Sequence, residues 1–416
     1  MARSVERDGA GRAGFAFVLA TVGINMLGVG LAWPILPKLV EELVAGGVSE
    51  AAYAYAWIAT LYALAQFLFS PLLGAVSDAH GRRPVLLATQ AALALDYALM
   101  AIVPDLWWLA LLRFVSGTFA ATMSTANAYV ADISSAENRS RNFGYVGAAF
   151  GVGFIVGPLI GGALGEVSLR LPFLAAAVLT TVNVAFGWLT LRESLPAERR
   201  EPFDAAKANP ARVAARLSRF PQLRPLLVAL GLSALAQRGL EATWVLYTSY
   251  RFGWGIGAAA YSLAFVGVCY FVVQSSLVGP IVQRLGERRT LLLGLGLGAL
   301  SMALYAFATE GWIAYPLIAI YCVGNAIAQP THLSLASATT NEREQGALQG
   351  TLASVNALAV IFGPLIASLV LSVATADGPG GLPPGLWFLL SVGLYLGAIL
   401  AVRSAPVAET SVEKPA

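Results

Sequence analysis

The sequence predicts an all-α membrane protein with twelve transmembrane helices, built from two related halves of six helices each. Composition supports this class, because 57% of the 416 residues are hydrophobic and 12% are charged, whereas soluble domains carry roughly 25% charged residues. Twelve apolar stretches have about the 20 residues that a helix needs to cross a bilayer. A motif around Gly74 and Gly81 recurs around Gly279 and Gly286, at a constant spacing of 205 residues, which indicates a duplication.

Six apolar stretches form the first half of the chain. The first follows a short charged N-terminus and precedes no small-residue cleavage site, so we expect a retained signal anchor. The motif at 74–84 separates the second stretch from the third, and the Pro104-Asp105 turn separates the third from the fourth. The predicted spans are 14–36, 51–77, 84–103, 106–130, 143–165 and 171–191.

A long loop rich in Arg, Glu, Ala and Pro separates the two halves. It predicts an N-terminal six-helix bundle at 1–191, a cytoplasmic linker at 192–222 and a C-terminal six-helix bundle at 223–416. The pair Gly157-Pro158 recurs as Gly363-Pro364, 206 residues later, which again indicates a duplication. The predicted spans of the second half are 223–250, 258–282, 290–308, 311–335, 346–373 and 385–403.

The distribution of Lys and Arg predicts the orientation of the chain, because cytoplasmic loops hold an excess of basic residues. An even number of spans places both termini on one side of the membrane. The loops and termini of that side hold 21 of the 26 Lys and Arg residues. We therefore expect both termini in the cytoplasm, and we attribute the net charge of +3 to topology and not to nucleic-acid binding.

Cysteine and histidine usage argues against metal and thiol chemistry. Cys269 and Cys322 both lie in apolar stretches, and His80 and His332 are the only histidines. These residues provide neither a disulfide framework nor a zinc cluster. The sequence also has no nucleotide-binding loop, no nucleophile with a nearby base and no soluble signalling domain. We therefore expect no metal and no cofactor, and we disfavour a membrane-embedded enzyme or a sensor.

Two charged residues of the first half are predicted to form an ion pair inside the membrane. Asp96 and Arg113 lie at equal distances from the Pro104-Asp105 turn, roughly 12 Å below it at about 1.5 Å per residue. Ionisable side chains at such depth are costly and usually have a partner. The pair would either hold the hairpin together or take part in proton or substrate coupling.

The second half contains a similar pair of charges. Arg238 and Glu241 are three residues apart and therefore share one face of a helix. If Glu241 faces a water-filled cavity, its carboxyl could bind and release a proton as access alternates. A local ion pair without a role in transport is the alternative.

The turn between the second and third spans is predicted to act as a cytoplasmic gate. Its glycines permit close backbone approach and positive φ, and its charges can cap helix ends or bridge helices in one state of a cycle. The second copy has Gln283 in place of the acidic residue. The predicted gate residues are Gly74, Asp78, Gly81, Arg82 and Arg83.

Small residues in the fifth span predict close helix packing in lipid, with a bend at the proline. This cluster is Gly153, Gly157, Pro158, Gly161 and Gly162. Polar and aromatic residues are scattered through other spans, where each forms an interhelical hydrogen bond or lines a cavity for an amphipathic aromatic molecule. These cavity candidates are Asn25, Asn127, Tyr247, Gln274, Asn325, Gln329, His332 and Asn356.

Over its whole length the chain resembles the major facilitator superfamily, and in particular its drug/proton antiporters of the tetracycline-efflux type. The resemblance rests on eight motifs of this sequence: Gly74-x-x-Ser-Asp78-x-x-Gly81-Arg82-Arg83-Pro84, Arg113-x-x-x-Gly117-x-x-x-Ala121, Gly153-x-x-x-Gly157-Pro158-x-x-Gly161-Gly162, Leu95-Asp96-Tyr97, Tyr129-Val-Ala-Asp132-Ile, Arg141-Asn-Phe143-Gly144, Ala306-Phe-Ala-Thr-Glu-Gly311-Trp312 and Leu348-Gln349-Gly350. The third of these resembles the antiporter signature of the family.

The resemblance implies two pseudo-symmetric six-helix bundles in the major facilitator fold, alternating access, and export of a drug in exchange for protons. It implies a monomer in the bacterial inner membrane, with a small-molecule substrate, protons and the lipid bilayer as its partners. The proton gradient would be the driving force, and a drug–cation chelate is a candidate substrate. A proton-coupled or facilitative carrier of a metabolite is the alternative.

Three positions depart from the tetracycline-efflux pattern. Asn25 and Gly298 stand where these exporters carry acidic residues, and Tyr270 stands where a histidine is common. Asp96 and Glu241 would then be the main candidates for proton coupling, and the departures leave open whether tetracycline itself is transported. Tyr270 joins the cavity candidates.

Overall fold

The computed structural model describes residues 2–44, 46–135, 138–200, 202–203, 220–338, 340, 344–378 and 382–405. Within these ranges the chain forms fifteen α-helices and three short 3₁₀ helices, and no strand. This helical architecture confirms the predicted all-α class. Most of the predicted linker at 192–222 lies outside the described residues.

Eight helices come from the first half of the chain. Asp105 is the N-cap of α5, because its carboxylate accepts hydrogen bonds from the backbone N–H groups of Trp107 and Trp108, both at 2.9 Å. The span predicted at 106–130 is divided at residues 119–121 into two helices. The eight helices are α1 Ala2–Ala32, α2 Leu36–Val44, α3 Gly47–His80, α4 Arg82–Met100, α5 Leu106–Thr118, α6 Thr122–Ile133, α7 Arg139–Val167 and α8 Leu171–Thr190.

Seven helices come from the second half. Gly253 ends the first of them in the left-handed conformation, with φ 67°, which glycine adopts without a steric penalty. The span predicted at 258–282 is interrupted at Leu277. The seven helices are α9 Arg224–Phe252, α10 Ile256–Ser276, α11 Val278–Leu285, α12 Glu287–Phe307, α13 Ala314–Ala338, α14 Gln345–Ala376 and α15 Leu386–Ser404.

Ten segments of the described residues are long and apolar enough to cross a membrane. The helices α4 and α9 are not among the ten, although they cover the spans predicted at 84–103 and 223–250. Both are less apolar, because α4 contains Asp96 and α9 contains Arg238 and Glu241. The count of twelve spans therefore stays a prediction.

The residues group into two compact units. The first unit consists of Met1–Ala45, Leu61–Pro210 and Gly255–Ala264. The second unit consists of Gly46–Thr60, Ala211–Trp254 and Phe265–Ala416. The first turns of α3 thus group with the second unit, and the first turns of α10 group with the first unit.

A seam of glycines joins α7 to α1 in the first unit. A methyl group at Gly157 would lie 2.8 Å from Gly30 Cα, and one at Gly161 would lie 2.8 Å from Leu31 Cα. A methyl group at Gly153 would lie 2.6 Å from a backbone carbonyl oxygen of α1. These three glycines are spaced by four residues, so they share one face of α7 and let the two backbones touch.

The second unit repeats this packing between α14 and α9. A methyl group at Gly363 would lie 2.7 Å from Arg238 Cβ and 3.2 Å from Gly239 N. Gly363 is the copy of Gly157 in the duplicated sequence. The close contact therefore fixes the backbone of α9 at the position of the charged pair Arg238 and Glu241.

Candidate functional site

Asp96 and Arg113 form a buried ion pair in the first unit. Arg113 Nη2 donates to Asp96 Oδ2, and the two residues Arg113 and Asp96 are 9% and 4% exposed respectively. The pair predicted from the hairpin geometry is therefore present. The guanidinium carbon also lies 6.0 Å from the centroid of the Tyr62 ring, close enough for a cation–π interaction.

Small residues bring neighbouring helices close to this pair. A methyl group at Gly117 would lie 2.8 Å from Ala65 Cβ, so α5 packs closely on α3 near Arg113. A methyl group at Gly28 would lie 2.7 Å from the hydroxyl of Tyr97, the residue after Asp96. The pair is thus enclosed, and Asp96 Oδ1 and Arg113 Nε are buried without a hydrogen-bond partner among the described residues. Removing one charge of such a buried pair would leave the other charge uncompensated, which is strongly destabilising.

Arg238 and Glu241 form the second predicted ion pair, in the second unit. Arg238 Nη1 donates to Glu241 Oε2 over 2.8 Å, and Gln237 Nε2 donates to Glu241 Oε1 over 3.0 Å. Gln329 Nε2 extends the chain of contacts by donating to Gln237 Oε1 over 3.3 Å. The side chains of Arg238 and Glu241 are 33% and 24% exposed, so this pair is more accessible than Asp96 and Arg113.

An aromatic ring occupies the space next to Gly298, where a side chain at this position would lie. A methyl group at Gly298 would lie 2.6 Å from Tyr395 Cε1. Tyr395 donates its hydroxyl to Asn325 Oδ1 over 3.4 Å, and Asn325 Nδ2 donates to the carbonyl of Tyr321 over 3.1 Å. The ring therefore fills the space that a longer side chain at position 298 would need.

Arg82 is the centre of the predicted gate. Its Nη1 donates to Asp78 Oδ1 over 2.5 Å and to Ser77 Oγ over 3.1 Å, and its Nε donates to Asp132 Oδ2 over 3.2 Å. Ser194 Oγ donates to the same Asp132 oxygen over 3.1 Å. The Arg82 guanidinium thus connects the end of α3 to the end of α6, and Asp132 connects the end of α6 to the segment after α8. Asp132 belongs to one of the family motifs, but sequence reasoning did not assign it to the gate.

Glu193 caps the N-terminus of α4, and the sequence did not predict this role. Its carboxylate accepts hydrogen bonds from the backbone N–H groups of Arg82, at 2.8 Å, and Arg83, at 3.2 Å. Gly81, with φ 104°, makes room for this carboxylate. A negative charge at a helix N-terminus is favourable. Gly74, in contrast, has no atom within 4 Å of the place where a methyl group would be, so the close approach expected there is not observed.

The second copy of the gate motif preserves one contact of the first. Arg83 Nη2 donates to the carbonyl of Trp188 over 3.1 Å, near the end of α8. Arg288 Nη2 donates to the carbonyl of Arg403 over 2.8 Å, near the end of α15. Gly286 also repeats positive φ, at 75°. Both loops are therefore fastened to the last turn of a helix.

Of the two remaining residues of the cluster in α7, Pro158 also packs on α1, whereas Gly162 packs on another helix. The helix is continuous across Pro158, and a methyl group at Gly30 would lie 2.7 Å from Pro158 Cδ. Gly162 lies on a different face and packs against Ala260 at the start of α10, within the first unit. The cluster thus serves two helix contacts.

The cavity candidates lie in different environments and in both units. Asn25 and Asn127, in the first unit, are half-buried, as is Tyr270 in the second. The exposed candidates of the second unit are Gln274, Gln329 and Asn356. Tyr247 and His332 are 1% and 5% exposed.

Tyr247 belongs to a hydrophobic core and not to a cavity wall. It donates its hydroxyl to the carbonyl of Tyr305 over 3.0 Å, and its ring meets Phe388 edge-on with centroids 4.6 Å apart. An interior position with a satisfied hydroxyl is common for tyrosine. The assignment of Tyr247 as a cavity residue is therefore corrected. His332 is also buried, but its Nε2 has no hydrogen-bond partner among the described residues.

Comparisons with known proteins agree on one family. The family model described as Major Facilitator Superfamily matches residues 18–364 and 275–415. The chain is 37% identical to the tetracycline resistance protein, class C, of Escherichia coli, over 93% of this chain and 95% of the relative. It is 36% identical to the tetracycline resistance protein, class G, of Vibrio anguillarum, over 95% of this chain and 97% of the relative.

A solved structure resembles this chain in fold. The human organic anion transporter MFSD10 (TETRAN) matches with a TM-score of 0.69 and 23% identity, covering 94% of this chain and 99% of that one. The likeness extends across both halves of the sequence. At this identity it bears on the fold alone.

Proposed function

Because this chain belongs to the major facilitator superfamily, we propose that it exports a tetracycline-like drug across a membrane in exchange for protons. The observation that carries this proposal is the 37% identity to a tetracycline resistance protein over nearly the full length of both chains. The chain is a multi-pass membrane protein, since ten of its described segments can span a bilayer. We assign it transport and neither catalysis nor sensing.

The buried pair in the first unit is suited to proton coupling. While Arg113 donates to Asp96, each charge is compensated by the opposite charge of its partner. If α4 and α5 separate during the transport cycle, the Asp96 carboxylate loses its counter-charge in an apolar site. It would then take up a proton, because desolvation disfavours the charged form. Glu241 is a second proton site that water reaches more easily, because its side chain is 24% exposed.

The ion pairs of Arg82 with Asp78 and Asp132 support a role of this region as a cytoplasmic gate. Its ion pairs are partly exposed, and exposed ion pairs are worth about 0–1 kcal/mol each. Contacts of this strength can form and break within a transport cycle. Alternating access needs such contacts in one state only, whereas the glycine seam between α1 and α7 would stay closed throughout.

We further propose a monomer in the bacterial inner membrane with both termini in the cytoplasm. The positive charge of the loops supports this orientation. The small-molecule substrate, protons and lipid would be its partners, with the proton gradient as driving force. A drug–cation chelate is the form of substrate that we propose.

A metabolite carrier is the second candidate function. It is favoured by the departures from the tetracycline-efflux pattern at Asn25, Gly298 and Tyr270. The contact between Gly298 and the Tyr395 ring adds weight, because it leaves no room for an acidic side chain at that position. The direction of transport under an imposed pH gradient would separate the two candidates.

The proposal is tested by tetracycline accumulation in a sensitive bacterium that expresses the wild-type chain. We expect lower accumulation than in cells with an empty vector, and we expect a protonophore to abolish the difference. Asp96→Asn should accumulate the drug as the empty vector does. Equal accumulation in all strains, with the protein present in the membrane, would exclude tetracycline as a substrate.

A further inference from the structure

Four arginines lie at one end of the second unit, in the second copy of the gate motif and at the end of α15. In the first copy, Arg82 forms ion pairs with Asp78 and Asp132. The second copy has Gln283 in place of Asp78, and none of the four arginines forms an ion pair among the described residues. These arginines are Arg284, Arg288, Arg289 and Arg403.

A contact with the backbone brings two of these arginines to one place. Arg288 Nη2 donates to the carbonyl of Arg403 over 2.8 Å, which joins the start of α12 to the end of α15. Arg289 follows Arg288 directly in the sequence, and Arg289 and Arg403 are both exposed. Two guanidinium groups are therefore available at the junction of the two helices.

The first unit has different side chains at the equivalent contact. There Arg83 Nη2 donates to the carbonyl of Trp188, so Trp188 corresponds to Arg403 in structure. Pro84 corresponds to Arg289 in the duplicated sequence. The two units thus share the backbone contact and differ in the side chains beside it, which are a proline and a tryptophan in the first unit and two arginines in the second.

Each of the two arginines stands at the end of a stripe of exposed leucines on its helix. Residues three, four or seven positions apart share one helix face. The stripes are Leu293, Leu300 and Leu304 after Arg289 on α12, and Leu396 and Leu400 before Arg403 on α15. The two helices pack in opposite directions, because the later residue Gly298 of α12 meets the earlier residue Tyr395 of α15. Two apolar faces therefore run along neighbouring helices, and each has an arginine at the same end.

This combination of charge and apolar surface indicates the chemistry of a ligand. Exposed leucines of membrane-spanning helices contact acyl chains, and a long arginine side chain at the end of the helix reaches the level of the headgroups. A guanidinium binds phosphate oxygens through charge-assisted hydrogen bonds. A zwitterionic headgroup carries its own cation, which the arginines repel, whereas an anionic headgroup carries none. Glu287, the acidic residue next to Arg288, accepts a hydrogen bond from Ser334 of α13, so its carboxylate is directed to that helix.

We propose that Arg289 and Arg403 bind the phosphate of an anionic phospholipid, whose acyl chains lie along the leucine stripes of α12 and α15. Arg288 stays bonded to the carbonyl of Arg403 and fixes the spacing between the two helix ends. The lipid anchors this end of the second unit at the membrane surface. The site is separate from both ion pairs and does not depend on which compound is transported.

The test compares two lipids that share dioleoyl chains and differ in the charge of the headgroup. Binding of phosphatidylglycerol, which is anionic, and of phosphatidylcholine, which is zwitterionic, is measured by native mass spectrometry on the purified full-length protein in detergent. Arg289→Gln and Arg403→Gln should each weaken phosphatidylglycerol binding about fivefold, the effect of losing one basic residue at a membrane surface. The double variant should weaken it about 25-fold, and phosphatidylcholine binding should change less than about twofold.

A control with the same change in net charge is Arg139→Gln/Arg141→Gln, because both residues are exposed at the start of α7. It should leave phosphatidylglycerol binding unchanged. Without added lipid, all variants should unfold at the wild-type temperature, since the exposed side chains are replaced and Arg403→Gln keeps the carbonyl that Arg288 contacts. If one single variant fails to fold, unchanged phosphatidylglycerol binding in the other overturns the proposal by itself.

Several other results would overturn the proposal. Equal weakening of both lipids would show that the arginines do not distinguish headgroup charge, and an equal loss in the control would show a general effect of net charge. Wild-type affinity in the double variant would show that the phosphate binds elsewhere. Inorganic phosphate that raises the unfolding temperature of the wild type as much as phosphatidylglycerol does would indicate a site for a free anion and not for a lipid.

Discussion

Replacing Asp96 by Asn leaves the Arg113 guanidinium without its counter-charge in a buried site. The side chain of Arg113 is 11% exposed and that of Asp96 is 3% exposed, so water cannot compensate for the lost carboxylate. Removing one partner of a buried ion pair costs about 3–5 kcal/mol. Because Asn keeps the shape and one acceptor of Asp, we expect a loss near the lower end, about 3 kcal/mol.

The double variant Asp96→Asn/Arg113→Gln separates stability from transport. Replacing both members leaves no uncompensated charge in the buried site, so we expect this variant to recover most of the stability that the single variants lose. The coupling energy between the two positions should then be about 2 kcal/mol or more. Transport should not recover, since the double variant has no carboxyl at position 96 to exchange a proton.

The assay is thermal unfolding, in one detergent, of the purified wild type, Asp96→Asn, Arg113→Gln and the double variant. Tetracycline transport is measured on the same four proteins in vesicles. Glu310→Gln serves as the control, because Glu310 is exposed and its replacement should change neither quantity. Strictly additive losses of stability in the double variant would refute the coupling. Full transport by Asp96→Asn would refute the role in proton exchange.

Three further predictions concern packing and helix capping. Gly157→Ala should abolish folding or lower the unfolding temperature strongly, since its methyl group would lie 2.8 Å from backbone atoms of α1. The control Gly151→Ala, which has open space around it, should unfold like the wild type. Equal unfolding temperatures for the two variants would contradict the close packing of α7 on α1. Glu193→Ala should destabilise the first unit by about 0.5–2 kcal/mol through loss of the contacts at the start of α4, measured by thermal unfolding, and an unchanged midpoint would show that the contact is dispensable. Gly298→Asp should impair folding unless Tyr395 is also replaced by Ala, and expression of folded protein for the single and double variants would decide this.

Local patterns were sufficient to predict most helices and both ion pairs. The depth of Asp96 and Arg113 follows from the short turn that joins their helices, and the Arg238–Glu241 pair follows from helical spacing alone. These contacts are predictable because few residues separate the partners. Apolar length likewise predicted the long helices, although it could not show that residues 119–121 interrupt one of them.

Contacts between distant parts of the chain could not be predicted in this way. Glu193 lies 111 residues from Arg82, and its only sequence signal is its place directly after the sixth span. The ring of Tyr395 beside Gly298 is likewise distant in sequence. Tyr247 was misassigned because an apolar ring with a polar tip fits a cavity wall and a core equally well, and only the packing around it decides.

Proton coupling is the central claim, and transport by the purified protein in liposomes tests it most directly. With the liposome interior made acidic and no drug gradient, we predict that tetracycline accumulates inside in exchange for protons leaving. A protonophore should abolish this accumulation, and liposomes with Asp96→Asn should show none. Tetracycline entry at the same rate with and without the pH gradient would contradict the account, because it would show a carrier that is not driven by protons.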